Sequence, residues 1–348
     1  MSLKAINLLD RIHGCLLGIA AGDALGMPAL STLERTIALH GSEITTFIDA
    51  STDPAIDPVH YNLSAGEVTD DTYAALAIVK AIIDSGKVDV QAFAKAFIDW
   101  ADDDVKLAAR LGRECGFLGP STGRAIERLR AGFSPYETGG EGTTNGSAMR
   151  VGPMGFVHPG DIAATVDATE ISCIPTHNTN VAISAACAIS CAVSVMAAGV
   201  TDMAEIVAAA KEGSEFGATR GRVGYCPSIA KRIDLAVQLA QQNKTHAEIR
   251  RDIYDLIGSY LPAYEIVPAA IGAFVLEGGV PEASVLSAIN IGGDCDTLGA
   301  IAGGLAGTLH GVNGFPPLYN IQIEAANNFG LRKLSEQFLA ATQGINGA

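Results

Sequence analysis

The 348-residue sequence predicts an all-α fold, and three observations carry that expectation. Apolar residues make up 48% of the chain but aromatics only 6%, so Ala, Val, Ile and Leu must fill the interior, which suits closely packed helices. Apolar positions recur at helical spacing in one segment after another. No region alternates with the period of two that a half-buried strand needs, and no short-period repeat occurs. The whole chain, 1–348, reads as a single domain.

The first helix is expected over 7–24, where Leu8, Leu9, Ile12, Leu16, Leu17, Ile19 and Ala20 share a face. Gly14, Gly18 and Gly22 recur every fourth residue, a stripe that lets another helix come close. Asp23 follows, beside the turn signals Gly26 and Pro28, and reads as the acceptor of a local turn hydrogen bond. Residues 40–67 hold Pro54, Pro58 and several Asp and Ser without periodicity. They read as a long surface loop or flap, a type of segment that often serves as a lid.

Helices are expected over 72–85 and 90–111, with Asp102, Asp103 and Asp104 as a solvated face. The turn Gly116-Phe117-Leu118-Gly119-Pro120-Ser121-Thr122-Gly123 leads into a helix over 124–130; its spacing matches neither a P-loop nor a dinucleotide fingerprint. Residues 139–149 are rich in Gly and Thr, and Asn145 and Ser147 there suit a sugar or phosphate. A flexible linker has similar composition, but it is not usually followed by apolar residues such as Met149, Val151, Met154 and Phe156. Residues 181–200 carry no charge and are long enough to span a bilayer. They lack a Lys/Arg flank and an aromatic belt, so a helix buried inside the protein is expected, with no membrane association. Helical patterns continue over 202–216, 228–242, 245–260 and 264–276, and a last amphipathic helix over 324–342.

Two stretches carry the chemistry. Gly292-Gly293-Asp294-Cys295-Asp296-Thr297-Leu298-Gly299 opens the small-residue run 300–311, and Thr69-Asp70-Asp71-Thr72 opens the helix over 72–85. One acid at a helix start is a cap that meets the positive end of the helix dipole. Two acids with threonine hydroxyls at each of two helix starts exceed what capping needs. If the starts face each other, four carboxylates share one pocket, which requires a cation or proton uptake. Oxygen donors without His or thiolate in the spacing favour Mg²⁺, Mn²⁺ or Ca²⁺ over Zn²⁺ and point to a two-metal site. Cys295 between the acids reads as packing, and His177 as either a site residue or a cap.

A net charge of −15 excludes a phosphate-backbone footprint, so no nucleic-acid partner is expected. The seven cysteines are scattered without a Cys-x-x-Cys pair, and no signal-peptide pattern opens the chain; both fit a reducing cytoplasm.

With these stretches in order, the chain resembles the ADP-ribosylglycohydrolase family. The matching pieces are 18–28 (GIAAGDALGMP), 68–72 (VTDDT), 145–155 (NGSAMRVGPMG), Thr176-His177 and 291–307 (IGGDCDTLGAIAGGLAG). The resemblance implies an all-α orthogonal bundle with two Mg²⁺ (or Mn²⁺) ions, and carries Thr69, Asp70, Asp71, Asp294, Asp296 and Thr297 over as metal ligands. Asp71 and Asp296 are the candidate catalytic carboxylates. Gly116, Gly119, Ser121, Thr143, Thr144, Asn145, Gly146, Ser147, His177 and Gly293 are the candidate substrate-binding residues.

The implied reaction is hydrolysis of a ribosyl glycosidic bond by metal-activated water, with an ADP-ribosylated protein or an ADP-ribosyl metabolite as substrate. Two positions depart from the family pattern. Where relatives commonly carry a Glu after the Gly-Asp-Ala-Leu-Gly segment, this chain has Leu30, with Glu34 and Glu67 as the nearby carboxylates. Where relatives acting on ADP-ribosylarginine often have Asp-x-Gly, it has Leu118-Gly119-Pro120. A nucleoside or ribosyl-metabolite hydrolase and a catalytically weak ADP-ribose-binding module are therefore the alternatives.

Overall fold

The computed structural model describes residues 6–347 and is all-α. In chain order the helices are α1 (Leu8–Gly26), α2 (Leu33–His40), α3 (Asp70–Ser85), α4 (Val90–Arg110), α5 (Pro120–Arg130), α6 (Pro135–Thr138), α7 (Ile162–His177) and α8 (Asn180–Ala197). They continue as α9 (Met203–Gly217), α10 (Ile229–Ala240), α11 (His246–Leu256), α12 (Ala263–Leu276), α13 (Pro281–Ile289), α14 (Cys295–His310), α15 (Pro317–Asn327) and α16 (Leu331–Gly347). Among the described residues β pairing is limited to the isolated bridges Thr144–Pro262 and Thr179–Arg222.

The centre is the antiparallel pair α1 and α14, both buried almost throughout. The glycine stripe explains their approach. A Cβ on Gly18 would lie 2.0 Å from the Gly303 carbonyl oxygen, and one on Gly22 equally close to that of Gly299. Gly303 and Gly307 meet Gly18 and Gly14 in return. Backbone therefore packs on backbone, and the far end of α14 is closed by the buried Arg11, whose Nη1 donates to the carbonyls of Thr308 (2.8 Å) and Leu309 (2.9 Å). Those carbonyls have no partner within the helix, and a guanidinium suits the negative end of its dipole. This antiparallel register sets Asp23, near the end of α1, beside Asp296 in the first turn of α14.

One continuous apolar core runs through nearly every helix, built on Ala, Val, Ile and Leu as composition demands, with Phe93, Phe97, Phe156, Phe274 and Phe338 fully buried in it and Trp100 almost so. Helix α8 is the charge-free segment, and 83% of its span is buried inside the protein, as expected of a core helix.

Helices α2, α7 and α13, and the four-residue α6, lie outside the expected set. α7 places Thr165, Thr169, Ser172 and Thr176 in the interior, where hydroxyls bond backbone and each other, as in Thr169–Ser190 at 2.7 Å; that polar inner face hides the helical period. The single helix expected over 324–342 is instead two, because Asn328 (φ 55°) and Gly330 (φ 67°) take the left-handed conformation that ends α15. Asp104 also departs from the expected solvated face. Its carboxylate is buried and accepts from the Phe117 amide at 3.0 Å. Gly116 must be glycine there, since a Cβ would collide with that carboxylate.

Candidate functional site

The site is built where α1, α3 and α14 converge. Asp23 is fully buried, and its bonds go to α3 rather than to a local turn. It accepts from Thr69 N (3.0 Å), Thr69 Oγ1 (2.9 Å), Thr72 N (3.1 Å) and Thr72 Oγ1 (2.6 Å). The local-turn expectation for this residue is thus replaced by a carboxylate that caps the start of α3 from 46 residues away. With its lone pairs engaged, Asp23 fixes α3 so that Asp70 and Asp71 meet α14.

Opposite, Gly292 and Gly293 turn the chain into α14 with φ of 100° and 91°, a conformation glycine adopts at little cost. Gly293 N donates to Ser31 O, and a Cβ on Gly293 would overlap the Ser259 carbonyl. Asp296 Oδ1 accepts from the Thr297 amide at 3.0 Å. Asp294 Oδ2 accepts from Asn145 Nδ2 at 2.6 Å, and the backbone N–H of Asn145 donates to Leu261 O.

The two helix starts therefore face each other. One oxygen each from Asp23, Asp71 and Asp296 lies within 4.8 Å of the others, all three residues buried, and Asp71 Oδ1 is buried without a hydrogen-bond partner. Burial, reinforced by the Asp296 charge, pushes Asp70, Asp71 and Asp294 well above the usual carboxylate range, and pushes Asp23 up to about 6. Asp296 behaves oppositely. Burial disfavours its charge, but the His60 imidazole holds it below the ordinary value. His60 Nε2 sits 3.1 Å from Asp296 Oδ2, and this contact outweighs the desolvation of the ring and raises His60 to about 8.

His60 is a site residue that sequence reasoning missed. The 40–67 flap was legible, but nothing in its spacing says which residue points inward. The two alternatives for the Glu absent at Leu30 are engaged elsewhere: Glu34 pairs with Arg251 at the surface (2.8 Å), and Glu67 pairs with Arg110 (2.7 Å) and accepts from Ser64 N.

The expected substrate residues divide. A Cβ on Gly119 would lie 4.0 Å from Asp70 Oδ2, and Asn145 touches Asp294. Thr143 is exposed, Thr144 half-buried, and Ser121 buried beside Arg124 and Arg128 around a small cavity. Ser147 turns away, donating to Ala182 O on α8 at 3.1 Å, and Gly116 serves the Asp104 cap. His177 is wholly buried beneath the loop. Its ring bonds Thr176 Oγ1 (2.9 Å) and Thr144 Oγ1 (3.1 Å), and Gly146 lies against it. Burial lowers His177 well below its ordinary pKa, so the ring is neutral near pH 7.

A divalent cation fits this donor set. The carboxylates are hard oxygen donors, Asp71 Oδ1 has no protein partner, and clustered buried acids lose their mutual repulsion when a cation joins them. The oxygens grouped closely enough to share one ion are those of Asp23, Asp71 and Asp296; Asp70 and Asp294 stand beside them on the same two helix starts.

The ADP-ribosylglycohydrolase profile matches residues 4–345, essentially the whole chain. The chain belongs to the ADP-ribosylglycohydrolase family. Relatives include the uncharacterized protein YegU of Escherichia coli K12, 29% identical over 93% of this chain and 95% of its own. Another is the ADP-ribosylarginine hydrolase Tri1 of Pseudomonas putida GB-1, 28% identical over 91% of this chain and 75% of that one. A solved ADP-ribosylglycohydrolase-related protein complex shares the fold, with TM-score 0.67 and 21% identity over 97% of this chain and 99% of that chain. The protein is accordingly an all-α hydrolase of this family.

Proposed function

We propose that this enzyme hydrolyses the bond between the anomeric carbon of an ADP-ribosyl group and its leaving group on a protein or metabolite, using Mg²⁺ or Mn²⁺ held by Thr69, Asp70, Asp71, Asp294, Asp296 and Thr297. The observation that carries this is the convergence of buried carboxylates from two distant helix starts with an orphaned oxygen on Asp71. When bound, the metal supplies Lewis-acid stabilisation, templating of ribose hydroxyls and a lowered pKa for water.

The residues of the chain supply the rest. Asp71 and Asp296 hold negative charge at the reacting centre, where an oxocarbenium-like transition state develops positive charge. Asn145 fixes the Asp294 carboxylate, and Asp23 fixes Thr69 and Thr72, so the oxygens meet the ligand without first reorganising. Thr144, backed by the neutral His177, offers a hydroxyl to ribose or diphosphate beside the glycines of the same loop. The Leu118-Gly119-Pro120 segment leaves the leaving-group side without the Asp-x-Gly carboxylate, so the leaving group need not be arginine.

A panel of arginine-, serine- and nucleobase-linked ADP-ribose, each with Mg²⁺, Mn²⁺ or EDTA, tests this. Release of ADP-ribose from at least one member, abolished by EDTA, is expected. Absence of ribosyl release under every condition overturns it, and tight ADP-ribose binding without release would identify a binding module instead.

A further inference from the structure

The flap between α2 and α3 presents one side chain to the acid cluster, and the surrounding structure is built to do so. Ala50 N bonds Leu63 O and Asn62 N bonds Ser51 O, which closes residues 51–62 into a compact loop. Met27, Ala50, Leu63 and Phe117 form a small apolar cluster at its base. Arg113, from the segment between α4 and α5, clamps the two residues flanking His60: its guanidinium donates to the Val59 and Tyr61 carbonyls. The same guanidinium lies 4.5 Å from the Tyr61 ring centroid and 4.4 Å from that of Phe117. The His60 ring stacks on Phe117 with centroids 6.4 Å apart. Asp57 Oδ1 accepts from both the Val59 and His60 amides, at 3.0 and 2.8 Å.

What remains is the second oxygen of Asp57. It is buried and has no hydrogen-bond partner, and it lies 3.7 Å from His60 Nδ1. The opposite ring nitrogen, Nε2, is the atom 3.1 Å from Asp296 Oδ2. Two donors at right angles around an ion at about 2.1 Å stand about 3.0 Å apart, so these atoms are spaced like neighbours in one coordination shell. A carboxylate behind the far nitrogen is the arrangement that orients metal-bound histidines.

Resting on the proposed metal-dependent reading, we propose that His60 is itself a ligand of the metal site, adding an imidazole nitrogen to the carboxylates of Asp71 and Asp296, with Asp57 as the orienting carboxylate behind its ring. The neutral ring directs its Nε2 lone pair at the ion and its Nδ1–H at Asp57 Oδ2. One nitrogen among oxygens moves the preference from Mg²⁺ towards Mn²⁺ and other first-row transition ions.

The test is spin-echo envelope modulation on the Mn²⁺-loaded full-length protein. Wild type is expected to show ¹⁴N coupling from a directly bound imidazole, and both His60→Ala and His60→Gln to lose it. By calorimetry, Mn²⁺ affinity should fall by about 10–100-fold in Asp57→Asn, the range seen when a partner behind a ligand is removed, with Mg²⁺ affinity falling less. Bound Mn²⁺ without nitrogen coupling in the wild type overturns the assignment whether or not the variants fold. Coupling that persists in a folded His60→Gln protein overturns it too. The outcomes separate the two proposals. Ribosyl release that needs Mn²⁺ but shows no nitrogen coupling sinks the ligand assignment alone. Nitrogen coupling without ribosyl release from any substrate sinks the reaction alone, and absence of Mn²⁺ uptake sinks both.

Discussion

Replacing Gly22 by Ala tests the helix contact on which the site stands. The new Cβ would lie 2.0 Å from Gly299 O and 2.1 Å from Gly299 C, both backbone atoms that cannot swing aside. The helices must open by about 1.4 Å before that separation becomes an ordinary contact. Overpacking of this kind costs about 1–3 kcal/mol, and a clash between two backbones belongs at the upper end. Alanine returns about 1 kcal/mol of helix propensity, so a net loss of about 2 kcal/mol is expected. For a chain of this length that corresponds to about 3 °C in melting temperature.

Gly123→Ala in α5 is the matched control. Nothing lies within 4 Å of its Cβ, so the same propensity gain is unopposed and the protein should be neutral to slightly more stable. Thermal unfolding by circular dichroism with EDTA present reads both without metal linkage. Because Asp23 is the next residue, Gly22→Ala should also weaken Mn²⁺ binding, whereas Gly123→Ala should not. If Gly22→Ala melts with wild type and binds Mn²⁺ equally well, the backbone contact does not position the site.

Asp71→Ala and Asp296→Ala should each lose at least one metal ion and lower ribosyl release by more than about 100-fold, since changes merely behind a ligand cost 10–100-fold. Asp296→Asn should do nearly the same while keeping the shape, because charge is what offsets the cation; wild-type release from it would contradict this. Without metal, Asp23 is raised from 3.8 to about 6 and His60 from 6.5 to about 8. The native state then binds more protons than the unfolded chain between about pH 4 and 8, so these groups make the metal-free protein less stable as pH rises through that window. The melting-temperature gain on adding Mn²⁺ over EDTA should therefore grow from pH 5.5 to 8, and a constant gain would show that these groups do not face the ion. Arg113→Lys removes the two-pronged clamp on Val59 and Tyr61, so limited proteolysis within residues 50–63 should accelerate, with a local stability loss of about 1–3 kcal/mol; unchanged cleavage would show that the flap is held otherwise.

The sequence made the helical class readable because Ala-rich periodicity and missing strand alternation are local signals. The Gly14, Gly18 and Gly22 stripe also carried real information, since a small-residue face has few uses other than close approach. Asp70, Asp71, Asp294 and Asp296 were legible as twin acid–threonine helix starts, and the structure brings the two starts together. Asp23 was not, because a single acid beside a turn looks the same whether its partners are adjacent or 46 residues away. His60 was hidden for a related reason: an aperiodic loop does not encode direction, and only Arg113, Phe117 and Asp57 decide which way the ring points. α7 escaped because its inner face is hydroxyl-rich, a pattern that reads as solvent-exposed until hydroxyl partners across the core are known.

The most direct test of the account is equilibrium dialysis of Mn²⁺ against wild type and Asp71→Asn at neutral pH. The account predicts about two ions per wild-type chain, and fewer in a variant that keeps the size of the side chain but not its charge. Retention of no Mn²⁺ by wild type, or of the full complement by Asp71→Asn, would contradict it.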